Sequence, residues 1–273
     1  MYLNRMEIDL QGLSLNARAM LLVVGMAMLV LPASFAFAEV KAKKARDKAN
    51  AKVESAAENP EEILQRADAI RSPKGDFRMR VEVTDSEKSV SQMEVWIKGR
   101  DKTLIKTLSP ARDKGRNLLM LGEDMWAFIP NLKRTVRVSL SQRLMGEAAN
   151  GDIARLGWMG DYIPKLESSD ANSWLLNLLA ARKGLTYERL QLRVDKSSYR
   201  PIKASYVTKS GVLLKTAEFR AYKKLAGEIR PSEMLIRDGS KVKAKGETLI
   251  QIQQMESSEV ADAMFNQTNL GNP

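Results

Sequence analysis

The chain has 273 residues, 28 % of them charged, a net charge of +11, and neither Cys nor His. Disulfides are therefore excluded, as is the N-terminal Cys on which bacterial lipoproteins carry their lipid. So too are the usual general base and the commonest metal ligand: a catalytic reading would have to rest on carboxylates, Lys, Ser or Tyr. The basic excess draws the chain toward anionic surfaces or acidic partner proteins, while the scatter of Lys and Arg along alternating strand faces argues against nucleic acid.

At the N-terminus, Arg18 precedes an apolar run from Ala19 to Leu31, followed by Pro32 and by Ala36-Phe37-Ala38. A positive flank, a short apolar segment and small residues two apart are the parts of a cleavable export leader. The run is shorter than the roughly 20 residues that span a bilayer. Residues 1–38 are read as the leader. Residues 39–58, rich in Lys, Ala and Glu, bury too little to offset the entropy of ordering them and are read as a tether. Residues 59–273 are expected to form one domain.

That domain begins with a predicted helix. Asn59 is a good N-cap, Pro60 suits the first helical position, and Glu61 and Glu62 favour the positive end of the dipole. Ile63, Leu64, Ala67 and Ile70 make the apolar stripe, and Ser72-Pro73 ends it. Alternation then predicts strands: Phe77, Met79, Val81 and Val83 on one face of the first, Met93, Val95 and Ile97 on one face of the second, with Trp96 on its other face. A less regular run covers 104–108. Residues 117–121 and 125–129 read as a hairpin about Gly122-Glu123-Asp124, apolar on both faces and so expected to be covered on both sides or to line a cavity. Residues 132–165 lack a steady period and are expected to hold short helices and loops, with Ser139, Ser141 and Asp152 as candidate caps. Strands resume at 187–194, 202–206, 212–222, 229–237 and 248–254, joined by short turns, an antiparallel meander. Residues 169–181 look helical by composition, although a short apolar run does not decide between helix and strand. Residues 266–273 are expected to fray.

Two sets of residues resemble a known family. The stretch from Gly122 through Trp126, Phe128 and Pro130 to Arg134 is similar to the Trp-x-Tyr-x-Pro-x-x-x-Arg hairpin of LolA-like outer-membrane lipoprotein-sorting proteins. Ser141-Gln142, Met145-Gly146, Asp152 and Asp161-Tyr162 follow in the family's order. Val194-Asp195-Lys196 with Tyr199, Pro201, Lys203 and Tyr206 resembles its Asp-Lys-x-x-x-x-Pro-x-Lys hairpin, and the span from Lys209 to Tyr222 fits the next one. The chain departs from the family at Phe128, in the Ala- and Gly-rich segment after Gly146, and around Gly157-Trp158-Met159.

The resemblance implies a mainly β fold of the α+β kind, an incomplete antiparallel β-barrel whose concave face is covered by short helices, as in LolA and LolB. It turns the ambiguous segment 174–180 into a strand. It also implies a carrier in the Gram-negative periplasm that holds acyl chains of lipoproteins or lipids, with an inner-membrane exporter and an outer-membrane acceptor as partners. The expected state is a monomer without cofactor or metal. Phe77, Met79, Val81, Met93, Val95, Ile97, Trp126 and Phe128 are the expected cavity lining; Trp126 and Phe128 read equally as hairpin core from their own pattern. Arg134, Arg143, Met145 and Gly146 are the lid or headgroup candidates, against a solvated basic edge and a plain loop turn. Two other functions fit the residues: an accessory lipid-binding or sensing module of an RND- or ABC-type exporter or envelope-stress system, and, last, a hydrolase with a Ser or Tyr nucleophile. No phosphate-cradling Gly loop or Gly-x-Ser-x-Gly elbow is present.

Overall fold

A computed structural model describes residues 58–239 and 246–271. The expected leader, and the expected tether up to residue 57, lie outside the described residues. Among the described residues no helix is long and apolar enough to cross a membrane.

The first element is helix α1 (Pro60–Arg71), and its ends follow from local chemistry. The Asn59 side chain accepts the Glu61 N–H at 3.0 Å, Pro60 occupies the first turn, and Ser72, preceding Pro73, is extended. Its buried residues Ile63, Leu64, Ala67 and Arg71 recur at helical spacing. The Glu58 carboxylate accepts from Ser169, Trp174 Nε1 and Lys196, so the last residue assigned to the tether is fastened to the sheet.

Six strands follow as one meander: β1 (Phe77–Thr84), β2 (Val90–Lys98), β3 (Lys102–Ser109), β4 (Asn117–Leu121), β5 (Asp124–Ile129) and β6 (Arg134–Val138). Gly122, at φ +62°, opens the two-residue β4–β5 turn in a conformation that favours glycine. A small hairpin, β7 (Arg143–Met145) with β8 (Ala148–Ala149), leads into the short helix α2 (Asn150–Ala154). A second meander comprises β9 (Tyr162–Ser169), β10 (Ser173–Ala180), β11 (Arg189–Asp195), β12 (Pro201–Val207), β13 (Leu213–Leu225), β14 (Glu228–Asp238) and β15 (Glu247–Ser257). Pairing of β1 with β15 joins the two into a thirteen-stranded antiparallel sheet with β6 and β9 at its free edges. The sheet is strongly curved and does not close. The fold is the expected incomplete barrel, with α1 and α2 on its concave side.

Three expectations need correction or decision. Residues 132–165 hold α2 and loops, but also β6, the β7–β8 hairpin and the start of β9, where Lys, Arg and Glu between the apolar residues mask the alternation of the edge strands β6 and β9. The segment at 174–180 is strand β10, as the resemblance implied; Trp174, Leu176 and Leu178 face the core between β9 and β11. The C-terminal residues up to 271 do not fray, and the last two of the expected stretch lie outside the described residues. Val260, Phe265 and Leu270 are buried with Leu104 and Leu119 against the convex face, and the Asn117 side chain donates to the Leu270 carbonyl at 2.8 Å. This outer layer rests on the row Trp96–Leu104–Leu119–Trp126, four residues in cross-strand register on β2 to β5. The β4–β5 hairpin is apolar on both faces because both faces are covered.

Docking of the tail makes a testable difference. Phe265→Ala is expected to cost about 3 kcal/mol in urea unfolding, and removal of residues 260–273 to shift Trp emission to the red as Trp96 and Trp126 are uncovered. A change within about 0.5 kcal/mol, as for an ordinary surface position, would mean that the tail is not part of the fold.

Candidate functional site

The site is the interface between the concave sheet face and its cover. On β1 and β2, Phe77 pairs with Ile97, Met79 with Val95 and Val81 with Met93. These six expected lining residues form three adjacent pairs on the concave face, none more than 5 % exposed. Opposite them pack Ile63, Leu64 and Ala67 of α1, then Ile153, Leu156 and Trp158 of the segment that begins with α2. Trp126 and Phe128 are not among them, which corrects the expectation that all eight share one face. In the β4–β5 register Met120 opposes Met125 and Leu118 opposes Ala127, all facing the concave core, whereas Trp126 opposes Leu119. With a side-chain period of two, Trp126 and Phe128 must then point to the convex side, under the C-terminal tail.

The hollow expected between roof and sheet is filled in this conformation. The apolar gap bounded by Met79, Val81, Ile153, Leu156, Phe219 and Met234 has about 30 Å³, one water's share of liquid volume. A larger, open pocket of about 630 Å³ lies beside it, between the C-terminal half of α1, the β2–β3 turn and residues 154–161. Leu156 borders both spaces.

Polar fastenings hold the roof down. Arg155, 5 % exposed, donates to Asp161 at 2.6 Å, to Asp101 at 2.9 Å and to the Gly122 carbonyl at 2.8 Å. Arg182 pairs with the same Asp161 at 2.8 Å and with Glu123 at 2.5 Å. The cluster therefore ties the β2–β3 and β4–β5 turns to the β10–β11 turn, elements that stand far apart in the strand order. A second knot centres on Asp152. It accepts the Ala149 N–H at 2.7 Å, a capping role read from the sequence, and also the Lys215 ammonium at 2.6 Å and the Tyr187 hydroxyl at 2.8 Å. On α1, Asp68 accepts the Trp158 N–H, the Arg71 guanidinium lies 4.3 Å from the Trp158 ring centroid, and Arg230 donates to the Ala69 and Ile70 carbonyls at 2.6 and 3.1 Å. Burial pushes the Asp68 carboxyl up from its ordinary value.

Of the lid candidates, Arg134 and Arg143 are exposed, on edge strand β6 and on β7. Met145 packs against the core. Gly146 has φ +52°, and a Cβ there would come within 2.3 Å of Thr248 Oγ1; the next residue, Glu147, donates its N–H to the same hydroxyl at 2.7 Å. Glycine is required here by a close approach to β15. Reasoning from sequence missed Arg155, Lys215, Arg71 and Arg230. Each is a single basic residue in a basic chain, and its partners are distant in sequence. Trp158, in the segment that the resemblance could not place, is a roof residue stacked edge-on against Phe219 at 5.8 Å.

Among the described residues no cluster of acidic side chains could hold a metal ion. Burial pushes the hydroxyls of Tyr162, Tyr187, Tyr206 and Tyr222 up, with the Asp152 carboxylate adding to the effect at Tyr187. Three of these hydroxyls are donors: Tyr162 to the Tyr187 carbonyl, Tyr187 to Asp152 and Tyr222 to the Pro201 carbonyl.

Known proteins share this architecture. A family model described as that of an uncharacterized protein matches residues 99–272. The chain is 32 % identical to a LolA superfamily protein from Nitrosomonas europaea, with a TM-score of 0.71 over 77 % of this chain and 99 % of that one. It is also similar to an outer membrane lipoprotein-sorting protein domain from Vibrio parahaemolyticus (24 % identity, TM-score 0.65, 79 % and 100 % covered). A third similar structure is a DUF1329 family protein from Desulfovibrio piger (21 %, 0.66, 77 % and 97 %). No curated protein matches the sequence.

Two substitutions test the fastenings. Arg155→Met leaves Asp161 buried without its main partner and is expected to cost about 3–5 kcal/mol in denaturant unfolding. A loss below 1 kcal/mol would put the cluster among ordinary surface pairs. Gly146→Ala is expected to cost at least 1–2 kcal/mol from the left-handed backbone alone, with the contact to Thr248 adding to it.

Proposed function

The chain belongs to the LolA superfamily, and from that premise we propose that it is an exported, periplasmic carrier for the acyl chains of lipoproteins or lipids. It moves them toward the outer membrane and performs no covalent chemistry. The observation that carries this reading is the form of the interior: a predominantly apolar sheet face, interrupted by Thr103, Lys215 and Thr248, covered by a thin roof made of separate pieces.

Energetics supports a roof that yields to cargo. Ile63 and Leu64 contribute about 1.5–3 kcal/mol each by burial, and Ala67 less. An acyl chain of about sixteen carbons, at about 0.8 kcal/mol per CH₂, gains on the order of 10 kcal/mol when it leaves water. A chain that replaces α1 on the concave face therefore offsets the apolar contacts it displaces. Met79, Met93, Met120, Met125, Met234 and Met255 lie in this core, and their flexible thioethers adapt to a guest of irregular shape. The apolar faces of β1 and β2, with Phe77, Met79, Val81, Met93, Val95 and Ile97, are the proposed acyl-chain surface. In this reading the protein acts as a monomer, receives cargo from an inner-membrane exporter and gives it up to an outer-membrane acceptor.

Native mass spectrometry of the protein purified from its own periplasm tests the proposal. Acylated species that leave on organic extraction are expected, and deletion of the gene should shift lipoproteins or lipids between the two membranes. A protein that carries no lipid, in cells whose deletion strain shows an unchanged membrane distribution, would leave the reading without support.

A further inference from the structure

The open pocket beside the roof has a composition of its own. Its volume of about 630 Å³ lies within the range of small-molecule sites, whereas the apolar gap next to it has only about 30 Å³. One wall is apolar: Ile97, Ala154, Leu156 and Met159, with Ala69 and Pro73. Ile97 is the outermost member of the concave row, opposite Phe77 on β1, so this wall continues into the roof–sheet interface. The rim is charged, and most of its charges are already paired. Arg155 and Arg182 neutralise Asp161. Arg66 pairs with Glu62 at 2.9 Å and lies over the Tyr199 ring. Asp68 accepts the Trp158 N–H and lies near the charges of Arg71 and Arg100.

Two cations remain. Lys74, just after α1, and Arg100, in the β2–β3 turn, both line the pocket, are exposed, and form no ion pair with a described residue. The Arg100 guanidinium rests against Gly160, where a Cβ would come within 3.2 Å of it. A guanidinium and an ammonium at the mouth of an apolar wall match an anionic head on a hydrocarbon tail.

We propose that this pocket is the entrance to the roof–sheet interface and the seat of an anionic headgroup, a carboxylate or phosphate held by Lys74 and Arg100 while its tail passes Leu156. The proposal rests on the carrier reading and adds to it a ligand class and a direction of entry. Leu156 stands between the open pocket and the apolar gap, so its displacement joins the two spaces under α1. The tail then follows Ile97 toward Val95 and Met79. An anionic amphiphile fits this mouth better than a zwitterionic one, because Lys74 and Arg100, neither in an ion pair with a described residue, would face an added positive charge in the latter.

Calorimetric titration of the delipidated protein, below micellar concentrations, tests this with palmitate, palmitoyl-lysophosphatidylglycerol and palmitoyl-lysophosphatidylcholine. At least one of the two anionic probes is expected to bind about tenfold or more tighter than the zwitterionic one, and which of them does so separates a carboxylate head from a phosphate head. Lys74→Gln combined with Arg100→Gln is expected to abolish the preference and leave binding of the zwitterionic probe unchanged; both side chains are exposed, and an unaltered thermal midpoint confirms the fold. Equal affinities for all three probes, or a preference that survives the double substitution, would overturn the headgroup seat and leave the carrier reading intact. Failure of all three to bind would count against both.

Discussion

The concave face of the sheet is apolar from β5 at one side to β10 at the other, and it has to be kept from water. That constraint governs most of the molecule. A thirteen-stranded sheet that curves without closing cannot satisfy it by its own geometry, so other parts of the chain must cover the opening. Helix α1 and the segment from β7 to residue 161 do so. Their apolar residues, Ile63, Leu64, Ile153, Leu156 and Trp158, are buried to the same degree as the strand residues beneath them. The convex face meets the same requirement locally, where the row from Trp96 to Trp126 is dry because Val260, Phe265 and Leu270 lie on it.

Covering an apolar face with short pieces has a consequence for motion. Neither roof piece is a strand of the thirteen-stranded sheet; the second carries its own β7–β8 ladder. Beside the burial of their apolar residues, discrete polar fastenings fix their positions: Arg155 with Asp161, Asp152 with Lys215 and Tyr187, and Arg230 at the end of α1. Buried pairs of this kind contribute little net stability compared with apolar replacements, but leaving one partner alone is costly. They therefore act in an all-or-none manner and define one closed arrangement. Elements that move in function come from the least stable parts of a fold. A roof held by a few such contacts over a face that welcomes hydrocarbon suits a carrier whose interior opens for cargo.

Much of this was legible from the chain. The α1 cap, the β1 and β2 alternation and the turns of the second meander were read from local pattern, because period and turn chemistry are properties of neighbours in sequence. Alternation also puts the six residues of β1 and β2 on one face, where their pairing joins them. It does not place Trp126 and Phe128. Their hairpin is apolar on both faces, and alternation then says only that Trp126 and Met125 point opposite ways, not which of them points inward. The docked C-terminal residues were missed since their partners, Leu104 and Leu119, lie some 150 residues earlier, as the 153-residue separation of the Asn117–Leu270 hydrogen bond illustrates. The roof fastenings escaped for the same cause, with Lys215 and Asp152 separated by 63 residues.

The amino-acid sequence by itself determined the class of the fold, the position of its first helix, most of its strands and the likeness to the LolA family. Each of these rests on periodicity, capping and motif order, which act over a few residues or recur along the chain. Tertiary structure alone decided which face of the β4–β5 hairpin is inside, where the last residues lie, that the roof sits closed on a filled interior, and that Lys74 and Arg100 face one open pocket. Those outcomes depend on strand register and on contacts between distant segments, where the free energy of burial is shared among partners that no local pattern names.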